Sequence, residues 1–342
     1  MNNINGLIQH TKECHISFTK INEINISTQF EERINTFISY MTILSDKRLV
    51  LCARTEIQIL QLTTTQHTPI KLMSIRNPHK SISPQSECVS SVTELSPNII
   101  ASTGYGCPLS PSIKIWKLHS TTYEQIGGVY GGYYIKCILH PIANGDLLYS
   151  INSRAEIVIW NKHSYQVCTY IESGIDVILL GIKLKNVDVL VLNDLYDKLI
   201  KFDLLSGKSA GWIEDICCCN GRCIVEIPKG KVVVAGNDGI WVIDVGKWVK
   251  EYKCVMNLEQ VGSLWFGKEG TLLCGFKKGF HYKTFEACIG VLKVNKRDKF
   301  VVVEEKKITE TDVTGVDVLS PEIVIVSKLG FIEVYKSIID LY

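Results

Sequence analysis

The chain lacks the segments that would carry it into or across a membrane. None of its apolar runs approaches the roughly 18 residues that a membrane-spanning helix needs, and the most apolar stretches, residues 177–182 and 187–192, have the length of a strand. Its beginning, MNNINGLIQHTKECH, does not join a basic start to an apolar core, so we expect no secretory signal. We therefore expect a soluble protein of the cytoplasm, with the nucleus as the alternative.

The chain also has little net charge and none of the common catalytic motifs. Its 37 Lys and Arg against 35 Asp and Glu leave a formal charge of +2, so no overall field favours nucleic acid or an anionic membrane. It contains no Gly-x-Ser-x-Gly elbow, no phosphate loop and no dinucleotide-binding glycine fingerprint. The eight histidines show no metal-binding spacing. We expect no enzymatic activity, no cofactor and no bound metal.

Cysteine, in contrast, is abundant. Six of the 13 cysteines lie in apolar, strand-like runs, where a thiol behaves as a small hydrophobic group, and we expect reduced thiols. The densest group is the cysteine-rich segment at residues 217–223 (CCCNGRC), where Cys219 and Cys223 have an acceptable spacing for one half of a zinc site. No second pair lies nearby in the sequence, so the segment is predicted to be a loop with reduced thiols. A reactive thiol beside Arg222 is the alternative.

A repeated unit organises the whole chain. Residues 140–161 (HPIANGDLLYSINSRAEIVIWN) read as the end of one strand, a turn, a second strand, a turn and a third strand. The third strand recurs seven times at intervals of 41 to 56 residues, close to the roughly 40–45 residues of a four-stranded propeller blade. The marker positions of these third strands are Leu60, Trp116, Trp160, Phe202, Ile243, Leu292 and Tyr335.

The predicted strands are continuous apolar runs rather than alternating patterns. Such runs favour sheets that are buried on both faces. A single four-stranded sheet cannot bury both of its faces, whereas a closed ring of sheets can. Gly127-Gly128 and Gly131-Gly132 are interpreted as tight turns between the second and third repeats.

With these repeats, the sequence resembles the WD-repeat family of seven-bladed β-propellers. Residues 112–118 (SIKIWKL) and 155–161 (AEIVIWN) match the third-strand consensus, and residues 138–141 (ILHP) followed by Asn144-Gly145 match the first strand and turn. The chain has no Trp-Asp and no Gly-His dipeptide. We therefore expect apolar packing to replace the buried His–Ser–Asp–Trp hydrogen-bond network of the family, with Leu60, Ile243 and Leu292 in place of tryptophan.

The resemblance implies an all-β, seven-bladed propeller of four-stranded antiparallel blades over residues 12–342, preceded by a loose tail at residues 1–11. An amino-terminal strand within residues 12–30, at residues 15–21 or 24–30, is expected to close the ring. The blades are predicted near residues 34–80, 88–130, 133–172, 175–213, 217–258, 259–308 and 311–342. Residues 61–87 are predicted to hold the outer strand of blade one at residues 70–75 and an exposed loop, open to phosphorylation or partner binding.

The most informative loop lies in blade six, at residues 275–285, where aromatic and basic side chains alternate. Such a composition suits peptides, acidic partners or single-stranded nucleic acid, and a solvated hairpin extension is the alternative. Loops of other blades could contribute to the same face. The predicted partner-binding residues are Tyr105, Arg154, Tyr196, Trp212, Lys277, Lys278, Phe280, His281 and Tyr282.

The predicted function is a non-enzymatic protein-interaction scaffold, a subunit of an intracellular multiprotein assembly that binds proteins or peptides through its loop faces. One alternative is a phosphoinositide-binding or membrane-binding propeller, which in the autophagy-type family carries a Phe-Arg-Arg-Gly motif between blades five and six. This chain has only Lys277-Lys278 near that place, which gives lipid binding little support. The other is a substrate receptor of a ubiquitin ligase, whose Trp-Asp-x-Arg pattern is not met at residues 116–119 or 160–163.

Overall fold

The computed structural model describes most of the chain from residue 14 onward. The described residues are 14–25, 38–53, 56–62, 70–76, 78–79, 89–104, 111–129, 135–141, 147–152, 155–175, 178–184, 189–194, 198–216, 224–236, 239–254, 260–267, 270–279, 285–294, 300–310, 313–320, 322–328 and 331–341. The predicted tail at residues 1–11 lies outside them.

The described residues form seven four-stranded antiparallel sheets, each of which is one blade. Blade one contains β2 (Ile38–Ile43), β3 (Arg48–Ala53), β4 (Glu56–Gln61) and β5 (Ile70–Arg76). Blade two contains β6 (Val89–Ser96), β7 (Ile99–Gly104), β8 (Ile113–Leu118) and β9 (Tyr123–Val129). Blade three contains β10 (Ile135–Pro141), β11 (Leu147–Asn152), β12 (Glu156–Asn161) and β13 (Val167–Glu172). Blade four contains β14 (Ile178–Lys183), β15 (Val189–Asp194), β16 (Leu199–Asp203) and β17 (Lys208–Ile213).

Blades five to seven follow the same strand order. Blade five contains β18 (Ile224–Ile227), β19 (Lys231–Gly236), β20 (Gly239–Asp244) and β21 (Val249–Cys254). Blade six contains β22 (Gln260–Phe266), β23 (Thr271–Gly279), β24 (Phe285–Val294) and β25 (Phe300–Glu310). Blade seven contains β26 (Val313–Ser320), β27 (Ile323–Lys328), β28 (Phe331–Leu341) and β1 (Cys14–Asn25). This architecture confirms the predicted all-β, seven-bladed propeller.

The first strand of the chain closes the ring, as predicted. β1 pairs antiparallel with β28 and becomes the outer strand of blade seven. Lys20 Nζ of β1 lies 2.6 Å from Oε1 of the buried Glu333, and the Tyr335 hydroxyl donates to Oε2 of the same carboxylate at 2.9 Å. One buried carboxylate therefore joins the amino-terminal strand to the carboxy-terminal strand.

The core consists of seven apolar clusters, one at each interface between neighbouring blades. The cluster between blades seven and one, which contains Leu49, Leu60, Ile325 and Val334, shows that the ring is closed by packing as well as by pairing. All seven marker residues of the third strands are buried, and each lies in the cluster shared with the preceding blade. Both faces of the middle strands are covered, which explains their continuous apolar sequences.

The antiparallel order of the strands defines two faces of the ring. In every blade the second and third strands are joined at one end, here called the upper face. The turns between first and second strands, and between third and fourth strands, lie at the opposite end, here called the lower face. Blade six is lengthened at the upper face, where Lys277, Lys278 and Gly279 of β23 pair with the first residues of β24.

Gly127 and Gly128 do not form a turn, contrary to the prediction. They lie inside β9, and the ring of Tyr165 from blade three occupies the space beside Gly127, so that an added Cβ would lie 2.2 Å from the Tyr165 ring carbon Cδ2. The chain needs glycine here because a neighbouring blade approaches the strand. Gly131-Gly132 lies outside the described residues.

The same packing occurs between blades four and five. The ring of Trp248 lies against Gly211 of β17, where an added Cβ would come within 3.0 Å of Trp248 Cδ1. Tyr165 and Trp248 both have positive φ, and each donates its backbone N–H to the carbonyl four residues earlier, that of Asn161 and of Asp244. In blades three and five, the turn between the third and fourth strands therefore packs an aromatic ring against the preceding blade.

Candidate functional site

Blade two contains a buried hydrogen-bonded triad that the sequence analysis did not predict. Trp116 Nε1 donates to Ser102 Oγ at 2.8 Å, and His79 Nε2 lies 2.9 Å from the same oxygen. Burial lowers the pKa of His79 to about 3, so its ring is neutral at physiological pH. Blade two therefore departs from the expectation that apolar packing replaces the His–Ser–Asp–Trp network, because a histidine, a serine and a tryptophan bond to one another there.

Blade three has the same serine and tryptophan, but the described residues form no such bonds there. Ser150 lies two residues beyond the residue that pairs with Trp160, as Ser102 does relative to Trp116. Ser150 Oγ and Trp160 Nε1 are buried without a hydrogen-bond partner among the described residues. The other five blades have leucine, valine or cysteine at the serine position and no tryptophan at the marker. Serine and tryptophan thus occur together in two blades, and apolar packing holds the rest as predicted.

Most of the predicted partner-binding residues belong to loops between second and third strands. Tyr105, Arg154, Tyr196, Phe280, His281 and Tyr282 lie outside the described residues. The strands that flank these loops, in blades two, three, four and six, all end at the upper face. The structure describes the other three predicted residues, Trp212, Lys277 and Lys278.

The two lysines and the tryptophan have different surroundings. Lys278 Nζ of β23 forms an ion pair of 2.7 Å with Glu305 of β25, the outer strand of the same blade, across the intervening strand β24. Lys277 is half-buried, and burial lowers its pKa. Trp212 is 62% exposed and lies on β17, the outer strand of blade four, opposite Ile200. It therefore lies on an outer strand rather than on an upper-face loop.

Comparison with solved structures finds the same architecture. The chain is similar to the WD40 domain of coronin from Toxoplasma gondii, with a TM-score of 0.70 over 97% of this chain and 87% of that one, at 11% sequence identity. The fold is that of a WD40-like seven-bladed β-propeller. At this identity the likeness concerns the fold alone. No family model and no curated protein matches the sequence.

The described part of this WD40-like propeller contains no group of three His, Cys, Asp or Glu side chains that could hold a metal ion. The cysteine-rich segment at residues 217–223 and Arg222 lie outside the described residues. Cys288 is buried between strands, and burial raises the pKa of its thiol to about 11, so it is not a reactive thiolate at neutral pH. No helix of the described residues is long and apolar enough to cross a membrane.

The propeller also exposes apolar side chains on its lower face that sequence analysis missed. The most exposed is Leu205, at 83%, in the turn between the third and fourth strands of blade four. A signal was present in the sequence, since Asp203-Leu-Leu-Ser-Gly207 is a short turn with two consecutive leucines. The apolar clusters contain Leu204, whereas Leu205 faces solvent.

Proposed function

We propose that this protein is a non-enzymatic protein-interaction scaffold, a subunit of a multiprotein assembly that binds a partner protein through its upper face. One observation carries the proposal: the strands that flank the predicted binding loops all end at the upper face of the ring. Because those strands end at one face in blades two, three, four and six, their loops are attached to one side of the ring. The fold supports the same conclusion, since WD40-type propellers generally serve as protein-interaction scaffolds.

The blades that support these loops are tightly packed, which favours a binding function over catalysis that depends on conformational change. Each blade interface is filled by one apolar cluster, and blade two adds the His79–Ser102–Trp116 triad directly below its upper-face loop. A rigid support lowers the entropy that is lost when the loops engage a partner. Predicted aromatic anchors on such a support match the composition of interaction hot spots.

In blade six, the aromatic side chains of the loop are the better candidates for anchors than the basic ones. Lys278 pairs with Glu305, and Lys307 pairs with Glu286 at 2.7 Å, so the charges of Lys278 and Glu286 on this hairpin are neutralised by residues of the outer strand β25. We therefore expect Phe280 and Tyr282 to contribute most of the binding free energy, while the lysines affect its salt dependence.

Gentle affinity purification of the full chain from its native cell, with quantitative mass spectrometry at low and moderate salt, tests the proposal. We expect a stoichiometric set of proteins that survives moderate salt. The triple variant Tyr105→Ala, Phe280→Ala and Tyr282→Ala should lose that set. Tyr170→Ala is the matched control, because Tyr170 is an exposed aromatic residue on the outer strand of blade three. Recovery of the bare wild-type chain, or equal loss in the control, would contradict the proposal.

A further inference from the structure

Three blades form the same type of turn between their third and fourth strands. Each turn begins with an Asn or Asp whose Oδ1 accepts a backbone N–H of the same turn, and these residues are Asn161, Asp203 and Asp244. The residue four positions later has positive φ and donates its N–H to the carbonyl of the first residue. That later residue is Tyr165 in blade three, Gly207 in blade four and Trp248 in blade five.

The two aromatic residues fill the groove between their own blade and the preceding one. Tyr165 packs on Gly127 of blade two, and Trp248 packs on Gly211 of blade four. Each glycine pairs with the residue that precedes the marker of its blade. A bulky residue at positive φ is strained, and the contact of its ring with the neighbouring blade offsets that strain.

The described residues place no such ring between blades three and four. The turn of blade four has Gly207, and the strand position that corresponds to Gly127 and Gly211 is Thr169 of β13, which is exposed. Ile171 of the same strand is half-buried and lies 3.3 Å from an added Cβ of Gly207. The groove between the outer strands of blades three and four therefore leaves Thr169 uncovered, where a ring covers the strand in the two comparable grooves.

Exposed apolar side chains flank this groove. Trp212 of β17 is 62% exposed and pairs with Ile200. Paired residues of adjacent strands point to the same face of a sheet, and Ile200 packs in the cluster shared with blade three, so Trp212 faces the groove. Leu205 in the turn is 83% exposed. Among the described residues these are the two most exposed large hydrophobic side chains, and Gly207 lies between them in the chain.

The size of this apolar surface indicates its occupant. Because a large side chain buries about 150–250 Å², Trp212 and Leu205 together offer on the order of 300 Å². A stable dimer buries about 800 Å² per partner, of which more than half is apolar. The groove offers less than a second copy of this chain needs, and it suits a short segment with one large side chain.

The comparable grooves indicate which side chain fits, since they hold the rings of Tyr165 and Trp248. Charge does not select the occupant here. The exposed charged residues of the two outer strands are Glu172 and Lys208, which have opposite signs. We therefore expect binding in this groove to depend little on salt.

We propose that the groove between the outer strands of blades three and four binds a short segment of a partner protein, whose aromatic side chain lies over Thr169 and Gly207 and against Trp212. The bound ring takes the place that rings of the chain itself take in the two comparable grooves. The turn of Gly207 is already fixed by its own hydrogen bonds, so that little conformational entropy is lost on binding. The proposal does not depend on the upper-face function, because it uses other residues.

A phage-displayed library of short random peptides is the probe, and the full chain is the target. Peptides are selected on the wild type, and those that also bind the double variant Thr169→Gly with Gly207→Trp are removed. This variant gives the groove the glycine and the ring of the two filled grooves. We expect the remaining peptides to share an aromatic residue. A selection that leaves no peptides, or peptides without a shared aromatic residue, would overturn the proposal.

Fluorescence anisotropy of a labelled selected peptide measures its affinity for the full chain at low and high salt. We expect Trp212→Ser to weaken binding at least about tenfold, as truncation of a hot spot does. Tyr170→Ser is the matched control, because Tyr170 has the same position in blade three, opposite Val158, and faces the groove that Tyr165 fills. Its affinity should equal that of the wild type. Equal losses in both variants, or no loss in Trp212→Ser, would refute the groove.

Further variants separate this groove from the upper face. Phe280→Ala should bind the peptide as the wild type does, and a loss of affinity there would move the peptide to the upper face and overturn the proposal. Circular dichroism should show one cooperative melting transition for every variant. If the double variant does not fold, Trp212→Ser replaces it in the selection, since its side chain is largely exposed.

The last step asks whether a protein occupies the groove in the native cell. Ser209→p-benzoylphenylalanine places a photo-crosslinking group on β17, opposite Phe202 and on the side that faces the groove. We expect a crosslink to a partner protein that the selected peptide suppresses, whereas the same peptide with its aromatic residue changed to alanine does not. No crosslink, a crosslink to a second copy of this chain, or equal suppression by both peptides would overturn the proposal.

Discussion

Blades two and three form a matched pair that tests the role of the buried triad. The change Ser102→Ala removes an oxygen that bonds to Trp116 Nε1 at 2.8 Å and to His79 Nε2 at 2.9 Å. Both nitrogens would remain buried without that partner. Since a buried polar group left unsatisfied costs about 1–3 kcal/mol, we expect the free energy of unfolding to fall by about 2–4 kcal/mol.

The equivalent change in blade three, Ser150→Ala, should behave differently. Ser150 Oγ is buried and has no hydrogen-bond partner among the described residues, and neither has Trp160 Nε1. Removing the hydroxyl breaks no hydrogen bond to any described residue and removes a buried polar group, so the free energy of unfolding should stay the same or rise by up to about 1 kcal/mol. The two substitutions are chemically identical and occupy the same position of the blade.

Urea denaturation followed by tryptophan fluorescence and by circular dichroism measures both changes. The wild type, Ser102→Ala and Ser150→Ala are compared in one buffer at neutral pH, with the m-value as a check that the same surface is exposed in each. A loss of about 2–4 kcal/mol for Ser102→Ala alone supports the triad. Equal losses in the two variants would refute the reasoning, because they would show that the cost comes from the removal of volume and not from the hydrogen bonds.

Three further predictions concern the other contacts of the ring. Burial lowers the pKa of His79 to about 3, while the value in the unfolded chain is about 6.5. The contribution of neutral His79 to the free energy of unfolding is therefore fully present above pH 6.5. It falls by up to about 1.4 kcal/mol per pH unit as the pH drops toward 3, because only the unfolded chain binds the proton. His79→Gln should flatten that slope in urea titrations at several pH values, and parallel curves would contradict it. Gly127→Ala should lower the free energy of unfolding by about 1–3 kcal/mol, because the new Cβ would overlap the ring of Tyr165. In a double-mutant cycle, Tyr165→Asn should restore the stability that Gly127→Ala removes. Additive losses in the double variant would argue against the contact. Glu333→Gln should weaken the contact with Lys20 by about 1 kcal/mol, less than for a fully buried ion pair because Lys20 is partly exposed. Amide hydrogen exchange should then rise several-fold in the amino-terminal strand but not in blade three.

The ring itself could be predicted from the sequence because its signals are local and repeated. Trp116 and Trp160 each end a short apolar third strand, and the same pattern recurs five more times at blade-like intervals. The continuous apolar strands required burial on both faces, and the clusters between blades provide it. The closing strand was also predictable, since blade seven lacked a fourth strand within its own segment.

The triad was missed because the family motif was sought as dipeptides. His79 follows a proline rather than a glycine, and the residue after Trp116 is a lysine rather than an aspartate. The network needs only side-chain atoms at the correct register, and Ser102 supplies one from a strand adjacent to that of Trp116. The coincidence of serine and tryptophan in blades two and three was the signal, and only the strand pairing reveals it.

Individual aromatic contacts between blades could not be predicted from the sequence either. Nothing near Gly127 indicates that an aromatic ring from the next blade will cover it, so the glycine pair was assigned to a turn. The exposure of Leu205 was equally hard to predict. Leu204 and Leu205 are adjacent and chemically identical, and the hydrogen bonds of the turn decide that Leu204 enters the apolar cluster while Leu205 faces solvent.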